Sequence, residues 1–147
     1  MPIETERERN TNAAHLLLRE VWSAGDLALI DELVAANHVH HDPLLPEPIE
    51  GRAALKEWVK TVREGAPDLT KTVDGTFVDG ETVVLTYTTT GTNEGEIMGA
   101  EPTGRPFEVD GVYVHHIRDG LLEETQDVWD AFGLFAQLGA FPEVNRA

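Results

Sequence analysis

One stretch of the sequence, from Val109 to Leu138, carries side chains suited to proton transfer. It predicts two strands joined by a tight turn at Arg118-Asp119-Gly120 and followed by a short helix. A three-residue loop closed by a glycine in the left-handed region pairs Ile117 with Leu121. In that register one face of the hairpin carries carboxyl, phenol, imidazole and hydroxyl groups, together with one glycine, from Gly111, Tyr113, His115, Glu123, Thr125 and Asp127.

The length of the hairpin loop decides which side chains lie beside Asp127. A two-residue loop would replace Tyr113 by Val112 and Val114 at that place. We adopt the three-residue loop because it groups the titratable and hydrogen-bonding side chains on one face. Such a face needs a cavity or water beside it, and the alternative is an edge hairpin whose polar face is simply exposed to solvent.

A second group of candidate residues, His38, His40, His41 and Asp42, lies in the segment 37–50. That segment contains Pro43, Pro46 and Pro48 and has no helical period, which predicts an ordered extended strap that is neither helix nor strand. Neighbouring side chains of an extended chain point to opposite sides, so at most His38, His40 and Asp42 converge. Imidazole and carboxylate suit zinc or non-haem iron. We instead interpret His40 as lining the rim of a pocket, and predict no metal site and no cofactor.

Composition narrows the possible chemistry. The 147 residues suit a single domain, no apolar run reaches membrane length, and the opening MPIETERERN does not resemble a signal peptide. We therefore expect a cytoplasmic protein. The chain has no cysteine, which excludes disulfides, thiolate catalysis and thiolate metal ligands. Catalysis would have to use carboxylates, histidines or hydroxyls.

The net charge of -16 arises from 27 acidic and 11 basic residues spread through the sequence. So acidic a chain is not expected to bind nucleic acid or an anionic membrane, both of which require a basic surface. Adaptation to high salt, where self-repulsion is screened, is one interpretation of this charge. An ordinary acidic cytoplasmic protein is the other.

Hydrophobic periodicity predicts an α+β fold: three helices, then antiparallel strands, then a final helix. Residues 1–9 are polar and predicted to be frayed. The first three predicted helices run from Asn10 or Thr11 to Trp22 or Ser23, from Asp26 to a point before Asn37, and from Gly51 to Gly65. Before the hairpin, strands are predicted over Leu69–Val78 and Thr82–Gly91 and from Phe107 onward, and the last helix is capped by Asp130 and buries Phe132, Leu134, Phe135 and Leu138.

Several segments resemble the SnoaL-like polyketide cyclase, or ester cyclase, family of the nuclear transport factor 2-like superfamily. They are EGEIMGAEPTGRPFEVDG, the RDG hairpin, DVWDAFGLFAQLG, the opening helix that ends in a tryptophan and AGD, and the strap HVHHDP. The resemblance covers nearly the whole of 1–147 as a single domain. It implies a curved antiparallel sheet wrapped by helices into a cone-shaped barrel, whose open end admits a flat polycyclic or other apolar ligand. It also implies a dimer formed through the exposed face of the sheet.

The resemblance further implies a general acid/base aspartate that closes a ring by intramolecular aldol chemistry without metal or cofactor. The shared D-x-x-D pattern places that acid at Asp127, and Asp130 is interpreted as the helix cap. His40 stands where the cyclases have an asparagine. Gly111 and Tyr113 stand where they have a glutamine and a histidine, so the groups that would hold the carbonyls of the substrate differ.

Acid/base chemistry at Asp127 also follows from physical argument. A carboxylate in an apolar cavity has a raised pKa and can remove a proton next to a carbonyl group. In this hypothesis Tyr113 donates to the enolate oxygen and His115 or His40 relays protons. Gly111, Thr125 and Trp129 complete the predicted binding site. The candidate apolar surroundings are Trp58, Leu85, Phe107, Val128 and Trp129.

Two other functions remain open. A non-catalytic domain that binds an apolar small molecule or dimerises would have Asp127 solvated or paired with Arg105 or Arg118, without a cavity beside it. A hydrolase or hydratase, for example one that opens epoxides, would place two carboxylates around an arginine and a water molecule. The sequence offers no clear inward-facing arginine for that arrangement.

Overall fold

The computed structural model describes residues 4–139. Helix α1, Glu6–Leu16, begins about one turn earlier than predicted, so residues 6–9 are helical and not frayed. The cause is Thr5, whose hydroxyl accepts a hydrogen bond from the Glu8 amide at 3.1 Å, and acidic residues in the first turn complement the helix dipole. The helix continues in π geometry over Leu17–Ser23.

The remaining helices are either shorter than predicted or end where predicted. A 3-10 turn, Leu27–Leu29, leads into α2, Ile30–Leu33, which ends several residues before the predicted limit at Asn37. Helix α3, Arg52–Gly65, ends where predicted. Helix α4, Ala131–Leu138, is capped by Asp130, which accepts from the Gly133 amide at 2.8 Å. The prediction that α4 buries Phe132 is wrong, since this side chain is 74% exposed.

Six strands of the described residues form one curved sheet that does not close on itself, in the order β2-β1-β6-β5-β4-β3. The strands are β1 Val34–His41, β2 Ile49–Glu50, β3 Thr70–Asp79, β4 Thr82–Thr92, β5 Pro106–Arg118 and β6 Leu121–Trp129. All neighbours are antiparallel except β1 and β6. The α+β class predicted from the sequence is confirmed.

The predicted strap over 37–50 is wrong at both ends, because residues up to His41 form strand β1 and Ile49–Glu50 form strand β2. Strand β1 pairs in parallel with β6, with His40 opposite Thr125, and on its other side with the short strand β2. All three prolines follow His41, so none of them removes a ladder donor from β1. The alternation of inward and outward side chains is as predicted: His38 and His40 are buried, and His41 is partly exposed.

The hairpin between β5 and β6 corrects the predicted loop. Arg118 pairs with Leu121, so the loop has two residues, Asp119 and Gly120, with φ of 52° and 79°. Positive φ at both positions is characteristic of a type I′ turn. With such a loop and no further irregularity in the ladder, Val112 and Val114 would lie beside Asp127.

A β-bulge restores the predicted face. Ile117 pairs with Leu122 but His116 pairs with Glu124, which leaves Glu123 as an extra residue in β6. Beyond the bulge Tyr113 lies opposite Asp127, and His115 lies opposite Thr125. Tyr113, His115, Thr125 and Asp127 are therefore buried on one face as predicted, whereas Glu123 lies in the bulge.

The helices pack against one face of the sheet and enclose an apolar core. Leu18 and Val21 of the first helix and Leu55 and Val59 of α3 are all buried there. The opposite face exposes Phe77 and Val128, each at 61%. The dimer predicted for this face stays a prediction. None of the helices in residues 4–139 has the length and apolar character needed to cross a bilayer.

Candidate active site

Asp127 lies near the end of β6 with its carboxyl group on the wall of a cavity. The side chain is only 5% exposed and accepts a hydrogen bond from the hydroxyl of Tyr87. Burial raises the pKa of Asp127 from 3.8 to about 6, although the Lys71 charge and the Tyr87 hydrogen bond act in the opposite direction. The carboxyl group can therefore both accept and donate a proton near neutral pH.

The cavity beside Asp127 is mainly apolar. The cavity has a volume of about 90 Å³, which is several times the roughly 10–15 Å³ that one water molecule requires on the same measure. Most of the wall consists of hydrophobic side chains, namely Trp22, Trp58, Val62, Ala66, Leu69, Ile97, Met98, Phe107, Val109, Trp129 and Leu134. The polar side chains on the wall are Asp42, Thr61, Lys71, Tyr87, Thr89, Glu96 and Asp127.

Three of the predicted apolar neighbours line this cavity: Trp58, Phe107 and Trp129. Leu85 does not, because it is fully buried in the core, and Val128 points away on the opposite face of the sheet. Trp129 also donates from its indole nitrogen to Asp42 at 3.0 Å, which fixes that carboxylate at the cavity wall. The predicted binding role of Trp129 is thus compatible with its position.

Tyr87, Tyr113 and His115 form a stack across strands β4 and β5. The ring centroids of Tyr87 and Tyr113 are 4.4 Å apart and those of Tyr113 and His115 are 5.2 Å apart, each pair inclined by 19°. Of the three, only Tyr87 is among the described residues that line the cavity. Tyr113 was predicted to donate to the ligand, but its hydroxyl lies behind the cavity wall and accepts from Lys71 Nζ at 2.6 Å.

Lys71 is the functional candidate that the sequence analysis missed. It lies on β3, is 9% exposed, and its Nζ sits 4.4 Å from the ring centroid of Trp22 and 4.6 Å from that of Tyr87. The Ser23 hydroxyl at the end of the first helix accepts from the Lys71 amide at 2.8 Å and so holds this part of β3 in place. A signal was available, because Leu69, Lys71 and Val73 alternate along a strand and predict one inward face.

Burial lowers the pKa of the Lys71 ammonium, while the charges of Asp127 and Asp42 act in the opposite direction. Lysine is rarely buried without a paired acid. The ion pairs found among residues 4–139 do not include Lys71 or Asp127. The cavity therefore holds a buried base and a buried acid that influence each other without direct pairing.

Beyond the cavity wall, His38 and His115 share the hydroxyl of Thr125. His38 Nε2 lies 2.9 Å from Thr125 Oγ1, and His115 Nδ1 lies 2.7 Å from the same oxygen. Burial lowers the pKa of His38 to about 4 and that of His115 to about 3. Neither His115 nor Thr125 is among the described residues that line the cavity, so this cluster supports the sheet behind the site.

His40 lies next to Asp127 but is not among the described side chains that line the cavity. Burial, assisted by His38, Lys71 and His41, lowers the pKa of His40 to about 3, so the ring is neutral at physiological pH. Its Nε2 has no hydrogen-bond partner within the described part of the chain. A neutral imidazole in this place can pass a proton but does not carry a cationic charge.

Three buried side chains offer atoms that could hold a metal ion. The candidate ligand atoms of His40, Asp42 and Asp127 lie within 4.8 Å of one another. An imidazole and two carboxylates suit zinc or non-haem iron. Both Asp42 oxygens already accept hydrogen bonds, from the Leu44 amide at 2.9 Å and from Trp129, and Asp127 accepts from Tyr87. The prediction of no metal site stays a prediction.

Gly111 forms part of the site because it lacks a side chain. A Cβ atom at Gly111 would lie 2.4 Å from Cζ and Oη of Tyr87 and 2.9 Å from Cβ of Trp129. These distances are shorter than van der Waals contact, so only glycine leaves room for the Tyr87 ring. Gly111 was predicted to bind ligand, whereas the structure shows it accommodating Tyr87.

The fold and the site together define an α+β protein whose curved sheet and helices enclose a mainly apolar pocket. The family model of the SnoaL-like polyketide cyclases matches residues 12–138, and the chain belongs to this family. The resemblance stated from the sequence is therefore confirmed. Comparison with curated proteins gave no match.

Solved structures from several bacteria share the fold over nearly the whole chain. TsrD from Streptomyces laurentii is 27% identical, with a TM-score of 0.83 over 94% of this chain and 100% of its own. A proposed polyketide cyclase from Acidithiobacillus ferrooxidans is 30% identical, with a TM-score of 0.81 over 95% and 98%. A protein with a ketosteroid isomerase-like fold from Catenulispora acidiphila, 19% identical, has a TM-score of 0.74 over 88% and 93%, a likeness of fold alone.

Proposed function

We propose that the protein is a cofactor-independent acid/base enzyme that acts on a carbonyl-containing small molecule, as an aldol-type cyclase or an isomerase. The observation that carries this proposal is the buried carboxyl group of Asp127 on the wall of an apolar cavity, with a pKa raised to about 6. The family and its solved members, including a proposed polyketide cyclase, are compatible with such an activity.

In the proposed reaction the Asp127 carboxylate removes a proton from the carbon next to the carbonyl group. A pKa near 6 leaves most of the group ionised at neutral pH and makes it a stronger base than an exposed aspartate. The Tyr87 hydroxyl, whose pKa is raised by burial and by Asp127, remains protonated and orients the carboxylate. The mainly apolar wall lowers the polarity around the carboxyl group, which makes its charged form a stronger base.

The structure weighs against a domain in which Asp127 has only a structural role. That alternative predicted that Asp127 is solvated or paired with Arg105 or Arg118, with no cavity beside it, whereas the side chain is only 5% exposed. Neither arginine forms an ion pair with Asp127, and a cavity adjoins the carboxyl group. A pocket that only binds an apolar molecule is distinguished from an enzyme by turnover.

One observation favours hydration or hydrolysis as a second candidate. Asp42 and Asp127 both face the cavity, with candidate ligand oxygens within 4.8 Å of each other, and Lys71 adds a cation in the same wall. Two carboxylates and a cation can position and activate a water molecule. The absence of an inward arginine in the sequence is therefore a weaker objection, because Lys71 can supply the charge.

Proton abstraction can be tested without knowing the natural substrate. Flat cyclic ketones such as 2-tetralone are incubated with the protein in D2O, and exchange at the carbon next to the carbonyl is followed by NMR. We expect Asp127→Asn to slow this exchange about 10²- to 10⁴-fold, the usual contribution of a general base. Asp110→Asn, on the exposed face of β5, is the matched control. Equal exchange by wild type and Asp127→Asn would remove Asp127 from the mechanism.

The second candidate is tested with wild type, Asp127→Asn, Asp42→Asn and the control Asp110→Asn, using an epoxide such as styrene oxide. Diol formation that depends on both Asp42 and Asp127, without ketone exchange, would favour hydrolysis over carbonyl chemistry. Ketone exchange without diol formation would favour the first proposal.

A further inference from the structure

Lys71 is the only base among the described residues that line the cavity. The chain has three lysines, and the other two lie on α3, where Lys56 pairs with Asp31 at 2.8 Å and Lys60 is exposed. The amine of Lys71 therefore differs from both in position and in surroundings. The proton abstraction proposed above does not use it.

The surroundings of Nζ determine its protonation. Aromatic rings of Trp22, Tyr87 and Tyr113 within 5.0 Å favour the ammonium form, as do the carboxylates of Asp127 and Asp42. Desolvation favours the neutral amine and exceeds these effects, so the pKa is lowered. His40, the remaining titratable neighbour, is neutral because burial lowers its pKa. At a given pH, a larger fraction of Lys71 than of an exposed lysine is therefore in the unprotonated, nucleophilic form.

The geometry also supplies a partner for amine chemistry. Asp127, the acid in the same wall, has a pKa of about 6 and can donate a proton or accept one. Tyr113 Oη, 2.6 Å from Nζ, fixes the amine at the wall. A carbonyl carbon held in the cavity would meet a lysine amine and an aspartate together, the pair of groups that imine formation requires.

We propose that Lys71 forms an imine with the carbonyl carbon of the ligand, so that the ligands of this site are aldehydes or ketones that it activates covalently. This inference rests on the proposed carbonyl chemistry of Asp127. It assigns to the cavity a covalent step that acid/base catalysis alone does not include.

The lone pair of Nζ adds to the carbonyl carbon as the C=O π bond breaks, and one proton on the nitrogen passes to the oxygen to give a neutral carbinolamine. Asp127, in its acid form, protonates the hydroxyl, which leaves as water while the nitrogen lone pair forms the C=N bond. The resulting iminium withdraws electrons, so the Asp127 carboxylate can remove the neighbouring proton to give an enamine. Asp127 then returns a proton to the enamine carbon and regenerates the iminium, and water adds to the C=N bond and restores amine and carbonyl.

Reductive trapping tests the imine directly. The full chain is incubated with cyclohexanone or butanal and sodium cyanoborohydride at neutral pH, and the secondary amines formed are located by peptide mass spectrometry. Lys56 and Lys60 are internal controls in the same molecule. We expect labelling of Lys71 to exceed theirs about tenfold or more, because burial lowers the pKa of its amine and the cavity holds the ketone beside it. Labelling of Lys56 and Lys60 with Lys71 unmodified would overturn the inference.

Variants separate a covalent from an electrostatic role. Lys71→Arg keeps the charge but cannot form an imine, and we expect it to lose ketone exchange, whereas Lys60→Arg should retain it. Exchange at the wild-type rate in Lys71→Arg would overturn the inference. The wild-type trapping experiment does not depend on whether the Lys71 variant folds.

The two proposals fail in different ways. If Asp127→Asn abolishes exchange and no adduct forms at Lys71, the acid/base proposal stands and the imine is wrong. If Lys71 is trapped but the wild type exchanges no protons, the imine stands and the proposed proton abstraction is wrong.

Discussion

The hydroxyl of Tyr87 on β4 donates a hydrogen bond to Asp127 on β6, although β5 lies between the two strands. The bond is possible because Tyr87 pairs with Gly111, which has no side chain to block the ring. The orientation of the proposed catalytic carboxylate thus depends on a glycine in the neighbouring strand.

Gly111→Ala tests this dependence. The added Cβ would overlap the ring of Tyr87, and we expect the free energy of unfolding to fall by about 1–3 kcal/mol, as in other overpacked sites. Chemical denaturation measures the change. In a Tyr87→Phe background the loss should be non-additive, because both changes disrupt the same hydrogen bond. Additive losses would show that Gly111 does not act through the Tyr87 hydroxyl.

Tyr87→Phe should shift the pH dependence of ketone exchange. The hydrogen bond from Tyr87 lowers the pKa of Asp127, so its removal raises that pKa above the present value of about 6. Since the reactive base is the carboxylate, the acid limb of the rate profile moves to higher pH. Thr88→Val, which affects an exposed hydroxyl on the opposite face of β4, is the control. If the acid limb of the rate profile lies at the same pH in Tyr87→Phe and wild type, this hydrogen bond does not affect the pKa of Asp127.

Acidification should destabilise the protein because of its buried histidines. The pKa values of His38, His40 and His115 fall from 6.5 to about 4, 3 and 3 on folding, so the unfolded chain binds more protons below pH 6.5. Their contribution to stability is present above pH 6.5 and is lost as the pH falls. Urea unfolding between about pH 7 and pH 5 measures this slope.

Asp127 opposes the histidines in the same pH range. Its pKa rises on folding from 3.8 to about 6, so the folded protein gains stability from this group as the pH falls through that window. Asp127→Asn removes this gain, and we expect its free energy of unfolding to fall more steeply with acidification than that of wild type. Parallel curves would show that Asp127 titrates like an exposed carboxylate.

We expect activity to be independent of divalent metal ions. His40, Asp42 and Asp127 could supply ligands, but their carboxylates are engaged by hydrogen-bond donors and lie near the Lys71 charge. Dialysis against EDTA and addition of ZnCl2 should leave ketone exchange and the melting temperature unchanged. A zinc-dependent rise in melting temperature that disappears in His40→Ala would instead establish a metal site.

Much of the fold was predictable because local signals agreed with the tertiary structure. The apolar period of α3, the turn after Asp79 and the cap at Asp130 each specify an element without reference to the rest of the chain. Strand β1 was missed because its ladder partner, β6, is distant in sequence and four of its eight residues are asparagine or histidine. The conformation of this segment is therefore set by its pairing with β6 and not by local propensity.

The site was predictable only in part. The sequence predicted correctly that Asp127 and Tyr113 share one face, but it did so with a hairpin loop of the wrong length. The bulge at Glu123 restores that face. Glu123 is one of two adjacent acidic residues, and nothing in the sequence distinguishes it as a bulge. Lys71 was missed although it alternates with apolar residues, because lysine is ordinarily a surface residue.

The parallel pairing of β1 with β6 also bears on the order of folding. Strands β3 to β6 are joined in sequence as successive antiparallel neighbours, whereas His38 meets Thr125 across 87 positions. Contacts of such long sequence separation form late, because closing the intervening loop costs entropy before any contact compensates for it. The meander can therefore assemble first, and the cavity acquires Asp42, which directly follows β1, only when β1 docks onto β6.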